Sequence, residues 1–149
     1  MYQGGKYVVN LDATVISTAR TWLEVTAAAS KVLILVEAWL TQEVSEVSQQ
    51  ESVQIIRKSV AGTGTSYTPL KTDPGDVAAS FTARVNCTAE GTLTDLVIRQ
   101  GFNALSGWFY APLPEDRLVV AGGGILGIRF PVAPASGTWS GGAMFIEIG

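Results

Sequence analysis

The chain has 149 residues, enough for one domain whose core needs no covalent staples. Charged residues make up 15% of it, against ~25% in ordinary soluble domains, apolar residues make up 47%, and the net charge is −3. With no histidine, one cysteine and ten scattered Lys and Arg, the composition excludes Ser-His-Asp and Cys-His nucleophiles, His metal centres and an internal disulfide. It also offers no basic track for a phosphate backbone.

Residues 1–5 (MYQGG) read as a flexible N-terminal arm of a single domain covering 1–149. No charged segment leads into an apolar one there, so synthesis and folding in a cytoplasm are expected. Tyr7, Val9 and Leu11 alternate with Val8, Asn10 and Asp12 as a first strand. Residues 15–19 are expected as a second. Residues 22–26 make a third, with Leu23 and Val25 inward and Glu24 outward. A corner at 27–30 leads to KVLILVEAWLTQ (31–42), the run around which the chain is organised. Unbroken alternation puts Leu33, Leu35 and Trp39 on one face and Val32, Ile34, Val36, Ala38 and Leu40 on the other. A strand apolar on both faces must be covered on both, by a second sheet and by further chain or another subunit.

Residues 41–52 read as a polar loop and 52–60 as a strand. If that strand pairs antiparallel with the central run, Glu37 comes opposite Arg57 or Lys58. Residues 61–75 are a long Gly/Thr/Pro loop, followed by a turn of helix at 76–80. Residues 81–88 alternate strictly: Phe81, Ala83, Val85 and Cys87 against Thr82, Arg84, Asn86 and Thr88. Strands follow at 93–102, 108–111, 118–121, 125–130 and 143–148, with Gly122, Gly123 and Gly124 as a hairpin turn between two of them. A loop at 131–142 carries Trp139. About ten short strands without a long helix or β-α-β alternation give an all-β antiparallel sandwich, jelly-roll-like, with long Gly/Pro/Thr-rich loops.

No residue pattern names a catalytic site, a cofactor or a metal. Asp73 and Asp76 bracket a Pro-Gly turn, which turn geometry explains; with Glu90 they are the one place where a loose Ca²⁺ site is conceivable. Gly122, Gly124 and Gly127 fit the dinucleotide spacing, but a strand follows them where a helix is required. Asn86-Cys87-Thr88 matches a glycosylation acceptor inside a strand, and Cys87 reads as a small core residue on its strand's apolar face. Among four tryptophans, Trp39 and Trp108 suit the core. Trp22, opening a strand, and Trp139, in a loop, are the candidates for partner contact, joined by Tyr2 in the arm and Tyr67 in the Thr-rich loop.

From Val53 to Gly149 the texture becomes familiar: GTGTSYTPLKTDPGDVAAS, then FTARVNCTAEGTL, GWFYAPLPEDRLVV, GGGILGIRFPVAP and a terminal strand ending Glu-Ile-Gly. It resembles the small single-domain structural proteins of tailed bacteriophages, including head decoration (cement) proteins. The resemblance implies a non-enzymatic virion protein without cofactors, on the capsid exterior. Its partners would be copies of itself, a trimer favoured, and the major capsid protein, with neither nucleic acid nor membrane. Rival readings are a tail, collar or fibre-associated or minor capsid subunit, and a lectin-like carbohydrate-binding module using Trp139 and Trp22.

Overall fold

The computed structural model describes residues 4–44, 48–135 and 137–149. Twelve strands form: β1 (Gly4–Ile16), β2 (Arg20–Thr26), β3 (Val32–Val44), β4 (Gln50–Val60), β5 (Thr63–Tyr67), β6 (Leu70–Lys71), β7 (Thr82–Ala89), β8 (Thr92–Asn103), β9 (Trp108–Tyr110), β10 (Val119–Val120), β11 (Ile125–Phe130) and β12 (Gly137–Ile148). A single 3-10 turn, Pro114–Asp116, is the only helical segment among the described residues.

The strands make two antiparallel sheets packed face to face. Sheet A runs β10-β3-β12-β1-β6, with β9 also on the β3 edge; sheet B runs β5-β7-β2-β11-β4-β8. The wiring is a jelly roll. Early and late strands pair in nested fashion, β1 with β12, β2 with β11, β3 with β9 and β10, and β4 with β8. The ribbon is then rolled so that β12 also meets β3 and β11 also meets β4. The Gly/Thr loop expected at 61–75 supplies β5 and β6, which extend the two sheets past β7 and β1.

Strand phase differs from simple alternation at bulges, where one extra residue turns the rest of the strand over. In β3, Leu35 lies opposite Phe145 and Glu37 opposite Met144, leaving Val36 unpaired. Leu33, Leu35, Ala38 and Leu40 therefore share the buried face, and Trp39 moves to the outer one. In β2, Leu23 faces Ile128 and Thr21 faces Arg129, so Trp22 is the extra residue and turns into the core. Other expectations shift for similar reasons. Residues 7–12 and 15–16 belong to one strand, β1, irregular between Leu11 and Thr14. Gly4 and Gly5 are not arm but pair with Ile148 and Glu147. Of the loop expected at 41–52, residues 41–44 and 50–52 are strand, and 76–80 is not helical. Glu37 does not meet Arg57 or Lys58, because β4 lies in the other sheet. The triple glycine makes no hairpin either: it carries the chain from β10 in sheet A to β11 in sheet B, with Gly123 at φ 76° and its N–H bonded to Ala27 O.

The core between the sheets is aromatic. Trp139 stands edge-on to Phe130 at 5.1 Å and to Phe102 at 6.2 Å, Trp22 edge-on to Trp108, and Tyr7, Phe81 and Phe145 form a second group. Buried carboxylates staple the long loops onto this body. Glu147 accepts the N–H groups of Ser80 and Phe81, Glu51 that of Ala135, and Glu24 that of Gly62. Each satisfies backbone donors that would otherwise be buried without a partner. Trp139→Ala is expected to lower unfolding free energy by ~3–5 kcal/mol in a urea titration, the range for emptying a large aromatic site.

Candidate functional site

The outer face of sheet A divides along its strands into two halves. Towards one end the rows across the sheet are Val119, Ile34, Ile146 and Lys6, then Glu37, Met144, Val8 and Leu70, with Val32 and Ile148 beyond. Apart from Lys6 and Glu37 these are apolar, and Leu70, Val119 and Ile148 are 52%, 47% and 43% exposed. Five strands at the usual ~4.8 Å spacing make this patch about 20 Å wide. It is the uncovered second face that the central run requires.

Towards the other end the same face turns polar around Trp39. Gly142 lies opposite both Trp39 and Asn10, and a side chain there would meet the indole Cζ2 at 2.6 Å and Asn10 Oδ1 at 2.9 Å. Glycine at this point lets the ring and the amide converge over β12. Around them is a hollow of about 430 Å³, lined by Asn10, Asp12, Trp39, Thr41, Glu43, Tyr67 and Ser140, with Leu11 and Gly141. Asn10 Nδ2 donates to the Tyr67 hydroxyl at 3.4 Å.

Two bulges set the acids of this hollow. Between Leu11 and Thr14 the β1 ladder is broken, Ala13 takes φ 36°, and its N–H donates to Ser140 Oγ at 2.9 Å. That places Asp12 on one side of Ser140. On the other side, Gln42 lies opposite Trp139 and Val44 opposite Thr138, so Glu43 is the extra residue of β3. Both carboxylates are exposed, and neither is in an ion pair among the described residues. A non-glycine residue at positive φ costs about 1 kcal/mol or more, so Ala13 is held there by its surroundings.

The residues expected to contact partners fall differently. Trp22 and Trp139 are both fully buried. The bulge described above turns Trp22 inward, and β12 begins at Gly137, which makes Trp139 part of a strand with Gly141, Ala143 and Phe145 on its inner face. Trp108 is core as expected, whereas Trp39 is the half-buried surface ring. Tyr67 lines the hollow, and Tyr2 lies outside the described residues. The signal that sequence reasoning passed over is the Gly141-Gly142 pair, read as loop but lying inside β12, where glycines mark a close approach.

A second cluster lies on sheet B. Lys58 Nζ, fully buried, sits 2.8 Å from Glu24, 3.5 Å from Glu90 and 3.0 Å from Thr21 Oγ1; Arg84 also reaches Glu24, at 3.5 Å. Glu90 holds the Thr21 N–H and hydroxyl, so it is not available to Asp73 and Asp76, where Asp73 instead caps Gly75 N–H. Among the described residues no group of three His, Cys, Asp or Glu is placed to hold a metal. Every charge of this cluster is paired, and through the bond from Gly62 N–H to Glu24 it staples the 61–62 segment. Cys87 is buried as expected but lies outside the main aromatic core, against Gly64 and within the field of Glu24 and Lys58. The positive φ of Asn86 interrupts the alternation just before it. Burial foremost, then Glu24, pushes its thiol from 9.0 up to about 11.

The chain matches no protein-family model, no curated protein and no solved structure.

Three outcomes follow from the sheet B cluster. Native protein at pH 8 should leave Cys87 unreactive to a disulfide reagent such as DTNB, with full reaction after denaturation. Because the folded thiol titrates higher than the unfolded one, its effect on stability is flat below about pH 9, grows unfavourable between about pH 9 and about 11, and levels off above that. Lys58→Met should cost about 3 kcal/mol in urea unfolding, because it leaves Glu24 buried without its closest cation.

Proposed function

We propose that this chain is a non-enzymatic virion structural subunit, of the capsid-decoration kind, that assembles through the apolar half of the outer face of sheet A. The observation that carries the reading is that half-face itself. Aliphatic side chains from β10, β3, β12, β1 and β6 form one continuous surface there. Contiguous apolar area of several hundred Å² is uncommon on a free-standing domain and marks an interaction surface.

The charges on this surface support association between copies. Lys6 and Glu37 stand in adjacent rows of an otherwise aliphatic patch, opposite Ile146 and Met144. A neighbouring copy set against this surface, with Glu37 of one near Lys6 of the other, pairs unlike charges while the aliphatic rows pack. The buried cluster of polar side chains has a duty that needs no catalysis, the stapling of the chain at Gly62. A tail, collar or fibre-associated subunit would use the same surface; the head-decoration reading rests on the resemblance described above. Its partners are other copies, a trimer favoured, and the major capsid protein on the shell exterior.

Sedimentation velocity tests the reading. The purified chain should run as a species larger than its 15.7 kDa protomer and co-sediment with undecorated tailed-phage capsids. Ile146→Lys combined with Val119→Lys should yield a folded monomer that leaves those shells bare. A wild-type monomer that ignores capsids would sink the proposal.

A further inference from the structure

We infer that the Trp39 hollow is a binding subsite for an uncharged saccharide, with the indole as the stacking platform and Asp12 and Glu43 as paired hydroxyl acceptors. The site lies in the polar half of the face, so a ligand there and association through the apolar half do not compete.

The first argument is the ring. Trp39 lies over Gly142 and lines an open hollow, whereas Trp22 and Trp139 are fully buried and Trp108 is 5% exposed. A flat indole beside water suits the axial C–H face of a pyranose, an apolar surface carried by a polar molecule. Phe109, directly across the ladder from Trp39 and 66% exposed, continues the aromatic surface towards β9.

The second argument is the rim. Asn10, Thr41, Tyr67 and Ser140 supply an amide and three hydroxyls, and the two carboxylates supply strong acceptors. Sugar hydroxyls donate, so acceptors not already in ion pairs are what such a ligand needs. Both acids are presented by bulges on the strands flanking β12, one on either side of Ser140. Bulges of this kind re-aim side chains at sites.

The third argument is charge and size. No Lys or Arg lines the hollow, so sialylated or sulfated sugars meet two negative charges with nothing to offset them. A compact organic cation is a poorer fit. It asks for rings on several sides, and the second ring among the lining residues, Tyr67, has its hydroxyl on Asn10. At about 430 Å³ the hollow is at the small end of ligand sites, enough for a sugar ring or two.

The experiment titrates the full chain with cellohexaose, maltohexaose, mannohexaose and chitohexaose, reading tryptophan fluorescence and calorimetric heat. Sialyllactose and choline chloride serve as charged controls. Since the other three tryptophans are buried, a spectral change reports Trp39. At least one neutral hexasaccharide should bind, and Trp39→Ala and the Asp12→Asn/Glu43→Gln double variant should each weaken it at least tenfold. Trp39→Phe should retain part of the affinity. Sedimentation of these variants should match wild type, which separates this site from the association surface. The inference is overturned if none of the four sugars registers up to about 10 mM, above the millimolar range of weak sites. Binding that survives Trp39→Ala, or a response confined to choline or sialyllactose, overturns it equally.

Discussion

β12 is hydrogen-bonded on both sides, to β1 and to β3, and at its centre it is two glycines thick. Gly141 faces inward, where a side chain would press on Trp22 and Leu40; Gly142 faces outward beneath Trp39. The sheet is thinnest where two indoles approach it from opposite sides. Filling either glycine would push a tryptophan away, one out of the core and the other off the surface. The inner approach lets Trp22 reach Trp108 across the sandwich, and the outer one gives the hollow its floor.

Polar chemistry in this molecule sorts by burial. Glu24, Glu51 and Glu147 are buried, and each accepts backbone N–H from a connection between strands. In an apolar sandwich with Gly- and Pro-rich connections, such acids replace the water that the loops lose. Asp12 and Glu43 are the contrasting pair, exposed and, among the described residues, in no ion pair. The division separates acids that hold the fold from acids available to a ligand. The network of Glu24, Lys58, Glu90 and Arg84 belongs to the first kind, its charges paired with one another.

The fold class was legible because it rests on local signals: strict alternation at 81–88, turn residues between short apolar runs, and no helical period. The jelly-roll wiring followed from class and length. What the sequence did not disclose was which way several large side chains point. Bulges at Trp22, Val36, Glu43 and Asp12-Ala13 carry no residue-type signature, yet each reverses the phase of everything after it. Trp22 therefore reads as exposed and is buried, while Trp39 reads as core and lies on the surface. The triple glycine was readable as a tight turn, but whether a turn joins neighbours in one sheet or passes between sheets depends on distant pairing. The hollow was invisible for the same reason, since its residues come from positions 10–12, 39–43, 67 and 140–141.

The nested pairing has a kinetic consequence. β1 and β3 do not bond to each other; β12 joins them, and it follows every other described strand in chain order. Until it docks, sheet A is two separate ribbons with open edges facing an empty slot, and closing that slot requires contacts between the most distant parts of the chain. Folding dominated by such pairings takes milliseconds to seconds, and exposed edges during that interval are templates for mispairing with other copies. A domain wired in this way passes through its most aggregation-prone moment just before its last strand inserts.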